Sequence, residues 1–204
     1  MDLDATLSAL WIEIRDRLAA RQLLSGAGAG VSLRIPGSGE LWFGNAADEA
    51  PRRVSDVPLH TALYAARPDV GAIAVGGGVF GACLADFGGR MPEVFDEQAR
   101  HLGRMGRAID GANGITASLR AGGNALLIDG VPACLGTTGS RLALNAELFE
   151  KCAKAYVLAA AAGGPVKPLP WWVRHIANGR LLKDQARAAA RLAQGLLPEE
   201  SRGY

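Results

Sequence analysis

A chain of 204 residues with 49% hydrophobic and 21% charged side chains carries enough apolar matter for a buried core and too little charge for disorder. A formal net charge of +2 argues against nucleic acid or an anionic membrane as partner, and no apolar run reaches the ~18–20 residues of a membrane span. Cys83, Cys134 and Cys152 form no CxxC pair, and their apolar settings read as buried free thiols in a reducing cytoplasm.

The start, Met1-Asp2-Leu3-Asp4, is acidic and unlike a signal peptide. Apolar residues at Leu3, Leu7, Leu10, Trp11, Ile14, Leu18 and Leu23 recur at helical spacing, and Ser25 to Gly30 reads as the break after that helix. Val31–Ile35 and Glu40–Phe43 flank Pro36-Gly37-Ser38-Gly39, which predicts a β-hairpin. A helix is expected from Ser55-Asp56 to Ala66, with Pro58 in its first turn and Asp56 as N-cap. Gly71–Val75 reads as a strand and Val79–Ala85 as a short helix. Pro92 precedes a helix expected over Val94–Ile109, whose early carboxylates suit the helix dipole. Asn124–Ile128 is a buried strand closed by an Asp129-Gly130 turn, and Thr137–Ala162 a long helix ended by Gly163-Gly164-Pro165. A tail from 165 to 204 holds Trp171-Trp172 and a basic, alanine-rich helix with Arg180, Lys183, Arg187 and Arg191 on one face. This succession predicts an α/β domain over 1–164 with a mostly antiparallel sheet covered by helices on both sides, plus a helical tail packing on it or on a neighbouring subunit.

Gly76-Gly77-Gly78-Val79-Phe80-Gly81 fits G-x-G-x-x-G between a strand and a helix, with Asp96 downstream. A dinucleotide fingerprint needs a second strand, and Glu93-Val94-Phe95 beside Pro92 is too short for one. The same three glycines can form an anion nest of backbone N–H groups, or simply a tight turn.

Residues 59–73, Leu-His-Thr-Ala-Leu-Tyr-Ala-Ala-Arg-Pro-Asp-Val-Gly-Ala-Ile, resemble the class II aldolase/adducin family, of which the L-fuculose-phosphate aldolase-like proteins are members. The likeness extends to Gly28-Ala29-Gly30-Val31-Ser32-Leu33-Arg34, to Asn124–Gly130 and to the long helix bearing Glu147 and Glu150. In that family His-x-His and a later histidine hold zinc, which polarises a carbonyl or enediolate oxygen while a carboxylate moves the proton. Carried over by position, the three ligands are Val75, Gly77 and Asp129. No metal or other cofactor is therefore expected. The general base falls at Asp56, and the phosphate-binding positions at Gly28, Gly30, Ser32 and Ser55. The resemblance implies a homotetramer with sites at subunit interfaces.

Three readings follow. The first is a metal-independent relative that binds a small anionic carbonyl or sugar-phosphate-like ligand at Gly28, Gly30, Ser32, Ser55, Gly76, Gly77 and Gly78. Asp56, Asp129 and Glu97 would then be its candidate catalytic carboxylates. The second is a non-catalytic structural or regulatory subunit on the same fold, pairing with an active paralogue. The third is a zinc-dependent aldehyde-lyase rebuilt from His60 and His101 together with Asp56, Glu97 or Asp129.

Overall fold

The computed structural model describes residues 3–200; Met1 and Asp2 of the acidic start, and the last four residues of the tail, lie outside the described residues. Helix α1 (Leu3–Ala20) buries Leu7, Trp11, Ile14 and Leu18, the inner stripe its spacing demands. Gln22, in the left-handed region at φ 57°, turns the chain into strand β1 (Ser25–Arg34). The hairpin partner β2 (Leu41–Asn45) pairs Arg34 with Leu41 and Gly30 with Asn45, and a short β3 (Arg52–Val54) covers its outer edge. Then come α2 (Pro58–Ala66), β4 (Ala72–Gly77), α3 (Val79–Cys83) with a 3-10 turn at Leu84–Phe87, α4 (Asp96–His101) and α5 (Ile115–Ser118). β5 (Ala125–Ile128), β6 (Val131–Gly136), α6 (Gly139–Ala161) and α7 (Trp171–Ala193) complete the order.

The strands form one six-stranded sheet in the order β3-β2-β1-β4-β6-β5, every neighbouring pair antiparallel. Alternate residues point to opposite faces. Ala72, Ala74, Leu127 and Cys134 share a core with α1 and α6. Ile73, Val75, Leu126 and Leu135 share the other with Leu63 of α2 and Ile115 of α5. The sheet is thus covered on both sides. Helix α7 packs against α4 and buries Leu181, Gln185, Ala188 and Leu192. No helix of the described residues is long and apolar enough to cross a membrane.

A buried polar hub fixes where α2, β4 and β5 meet. Arg67 forks onto Asp69 at 2.8 and 2.7 Å and donates to the Gly123 carbonyl at 2.5 Å and to Asn124 Oδ1 at 2.9 Å. Asn124 in turn donates to the His101 carbonyl at 2.8 Å and accepts from Gln185 of α7 at 3.2 Å. Each group is satisfied, which burial requires.

Several expectations are corrected. The helix expected over Val94–Ile109 spans only Asp96–His101. Gly103 takes φ 62°, and the chain beyond it runs beside β5, with Gly106 N bonded to Ala125 O and Ile109 N to Leu127 O. Residues 25–30 are no simple break: β1 begins at Ser25 and carries a register irregularity before Gly30. Helix α2 is capped by Val57 without a side-chain bond, so Asp56 is not its N-cap. Cys134 and Cys152 are buried, but Cys83 is only half-buried. β4 has antiparallel neighbours and residues 93–95 form no strand, so the dinucleotide unit is not built.

Candidate functional site

The end of β4 is crowded by neighbours that stand where a side chain would go. A Cβ at Gly77 would stand 2.5 Å from Pro132 Cγ. A Cβ at Gly78 would collide with the Glu150 carboxylate. Glu150, on α6, accepts hydrogen bonds from the backbone N–H groups of Phe80 and Gly81 at 2.8 and 2.9 Å. The opening amides of α3 are therefore already bonded to a carboxylate of this chain. Val75 is 3% exposed and packs in the α2–α5 core, where its isopropyl group offers no ligand atom.

Asp129 and Gly130 form the two-residue turn between β5 and β6, with φ 50° and 77°. An Asp-Gly pair suits the mirror-image turn that such a hairpin needs. Asp129 is exposed, and its Oδ1 accepts from Gly111 N at 2.8 Å. Neither Arg67 nor Arg141 bridges to it: Arg67 is committed to Asp69, and Arg141 donates to His101 Nδ1 at 2.9 Å.

The other candidates are dispersed. Ser55 and Asp56 are exposed before α2, and Glu97 is exposed on α4, 3.5 Å from Lys151. Gly28 is exposed, and Gly30 is buried against Gly44. Ser32 is fully buried; its Oγ lies 2.7 Å from His60 Nδ1 and 3.0 Å from the Tyr64 hydroxyl. Burial lowers the His60 pKa to about 4 and raises that of Tyr64. This trio ties α2 to β1 beneath the surface. His101 is also lowered to about 4, by burial first and then by Arg141 and Arg100.

A cavity of about 450 Å³ opens beside the β4 loop, bordered by Leu24, Ser25, Gly77, Val79, Gly130 and Pro132. Its walls hold no titratable side chain, and Asp56, Asp129 and Glu97 are not among them. Of the glycines that sequence reasoning named as ligand-binding, Gly77 and Gly78 border this cavity and Gly76 does not. That reasoning missed Glu150 as the group facing the loop and Pro132 as the group filling it. The signal for Glu150 was an acid of a long helix set beside the buried Phe149 and Cys152, three residues after Glu147. No group of three or more His, Cys, Asp or Glu side chains among the described residues is placed to hold a metal ion.

No protein-family model and no curated protein matches the chain. Solved structures do. L-fuculose 1-phosphate aldolase from Glaciozyma antarctica PI12 superposes with TM-score 0.70 at 16% identity, covering 96% of this chain and 92% of that one. YgbL from Escherichia coli, an aldolase/epimerase/decarboxylase candidate by its name, gives 0.68 at 17%, with 87% and 100% covered. An aldolase II superfamily protein from Pseudomonas syringae gives 0.66 at 12%, with 95% of each chain covered. At such identities the likeness speaks for architecture, and the architecture of this chain is the class II aldolase fold.

Proposed function

We propose that this protein is a non-catalytic structural or regulatory member of the class II aldolase fold, a homo-oligomer of the cytoplasm. The observation that carries the reading is the packing of Pro132 against Gly77, 2.5 Å from where a Cβ would stand. A ligating side chain has no room there. The residues at the three carried-over positions do not fit a zinc ion. Val75 and Gly77 carry no donor, and one exposed carboxylate at Asp129 is too little for a catalytic site. Asp56, Asp129 and Glu97 are not among the residues that line the cavity, which supports a site without a paired acid and base.

A second reading rests on the cavity of about 450 Å³, which lies in the size range of small-ligand pockets. It supports metal-independent binding of a small ligand at Gly77 and Gly78. The Glu150 carboxylate behind α3 favours a neutral carbonyl compound over an anion there.

The test is zinc loading followed by elemental analysis, thermal unfolding and an assay with L-fuculose 1-phosphate. The proposal expects substoichiometric zinc, an unchanged melting temperature and no cleavage. About one zinc per chain with a raised melting temperature overturns it, as does cleavage of the substrate. Light scattering on the same sample reads the oligomeric state.

A further inference from the structure

A second cleft, which shares no lining residue with the cavity beside the β4 loop, lies between α4, α7 and the first turn of α6, with a volume of about 890 Å³. Its wall carries six cationic side chains: Arg100, Arg141, Arg180, Lys183, Arg187 and Arg191. Three carboxylates share it, and two of them, Glu199 and Glu200, belong to the chain segment after α7. That segment is folded back by Arg191, which donates to the Leu197 carbonyl at 2.8 Å and pairs with Glu199 at 2.8 Å. Glu200 accepts from the hydroxyl of Thr138, the N-cap of α6. The chain's own carboxylates therefore sit where positive charge and the start of a 23-residue helix converge.

We propose that this cleft is a binding site for a small phosphorylated ligand, and that the segment 198–200 is its built-in competitor. The volume is that of a small-molecule pocket. With Glu199 and Glu200 displaced, Arg180, Lys183, Arg187 and Arg191 of α7 share the carboxylate of Asp184, which already pairs with Arg187, a setting that suits multiply charged oxyanions. Arginine only donates, so His101 Nδ1 accepts from Arg141 and the ring proton stands on Nε2. His101 is thus a neutral reporter set in the cleft wall. The site is independent of the aldolase-like loop and stands whether or not that loop is catalytic.

The test is titration with sodium pyrophosphate at low ionic strength, read by calorimetry and by the NMR signals of the His101 ring. Inorganic phosphate and citrate serve as comparison arms. Wild type is expected to bind pyrophosphate saturably below about 1 mM. Binding should weaken with salt as exposed charges are screened. Glu199→Gln/Glu200→Gln should bind about fivefold tighter, as expected for removing two competing surface charges. Lys183→Gln/Arg187→Gln changes exposed side chains of α7 and should bind at least about tenfold weaker. Unchanged melting temperatures establish that both variants fold. The proposal is overturned if neither wild type nor Glu199→Gln/Glu200→Gln saturates, or if pyrophosphate leaves His101 unmoved. Indifference of the affinity to Lys183→Gln/Arg187→Gln, which marks an adventitious ion only, overturns it too. Tighter binding of citrate than of pyrophosphate overturns the assignment to phosphate.

Discussion

Removing the Glu150 carboxylate should cost this protein more than its half-buried position suggests. Its two oxygens accept from Phe80 N at 2.8 Å and Gly81 N at 2.9 Å, across 70 and 69 residues of chain. Hydrogen bonds to a charged group contribute about 1.5–3 kcal/mol each, and partial exposure of Glu150 places both at the lower end. Glu150→Ala should therefore destabilise by about 3 kcal/mol. For a chain of this size that is roughly 6–12 °C in melting temperature. Glu150→Gln keeps one acceptor but turns an amide NH₂ toward a backbone N–H, and should cost about 2 kcal/mol. Urea unfolding of both variants measures this, with Glu97→Ala as control. Glu97 is an exposed partner of Lys151 at 3.5 Å, and its loss should cost under about 0.5 kcal/mol. If Glu150→Ala unfolds within about 0.5 kcal/mol of wild type, the bonds to α3 hold nothing together and the reasoning fails.

Acid should weaken the fold through His60. Its folded pKa of about 4 lies below the ordinary 6.5, so the unfolded chain takes up this proton first. The contribution is fully present above pH ~6.5 and is lost as the pH falls toward 4, by roughly 2–4 kcal/mol. Urea midpoints across that window check it, and the His60 ring signal should stay that of neutral imidazole at pH 5.5. Arg67→Met strands the buried Asp69 carboxylate and should cost about 3–5 kcal/mol, read by the same unfolding curves. Val75→His/Gly77→His should gain no zinc affinity and lose at least about 2 kcal/mol, because one imidazole enters an apolar core and the other meets Pro132. Stoichiometric zinc in that double variant would show that Pro132 gives way.

The parts of the fold legible in the sequence are those where one periodicity dominates. Leu7, Trp11, Ile14 and Leu18 announce α1, the Pro36–Gly39 cluster announces the first hairpin, and Asp129-Gly130 announces the turn that ends β5. Leu102, Met105 and Ile109 mislead because their spacing suits a helix. Gly103 leaves the helix at φ 62°, and the segment bonds to the β5 edge, burying Leu102 and Met105 by a different geometry. β6 hides behind Pro132, which a central strand tolerates at Val131-Pro132 only because it stands at the strand's start. At the loop of Gly76–Gly78 the missing histidines could be read directly. What fills the space could not, because Pro132 and Glu150 arrive from residues 55 or more positions away, and spacing says nothing of such contacts.

The hub around Asn124 bears on how the chain assembles over time. Its side chain bonds to Arg67, 57 residues earlier, and to Gln185, 61 residues later. Neither bond can form until a loop of that length has closed, which places the hub among the late steps of folding. Asn124→Ala should then speed unfolding more than it slows refolding. The loss of this amide should thus be felt in the lifetime of the native state more than in its rate of formation.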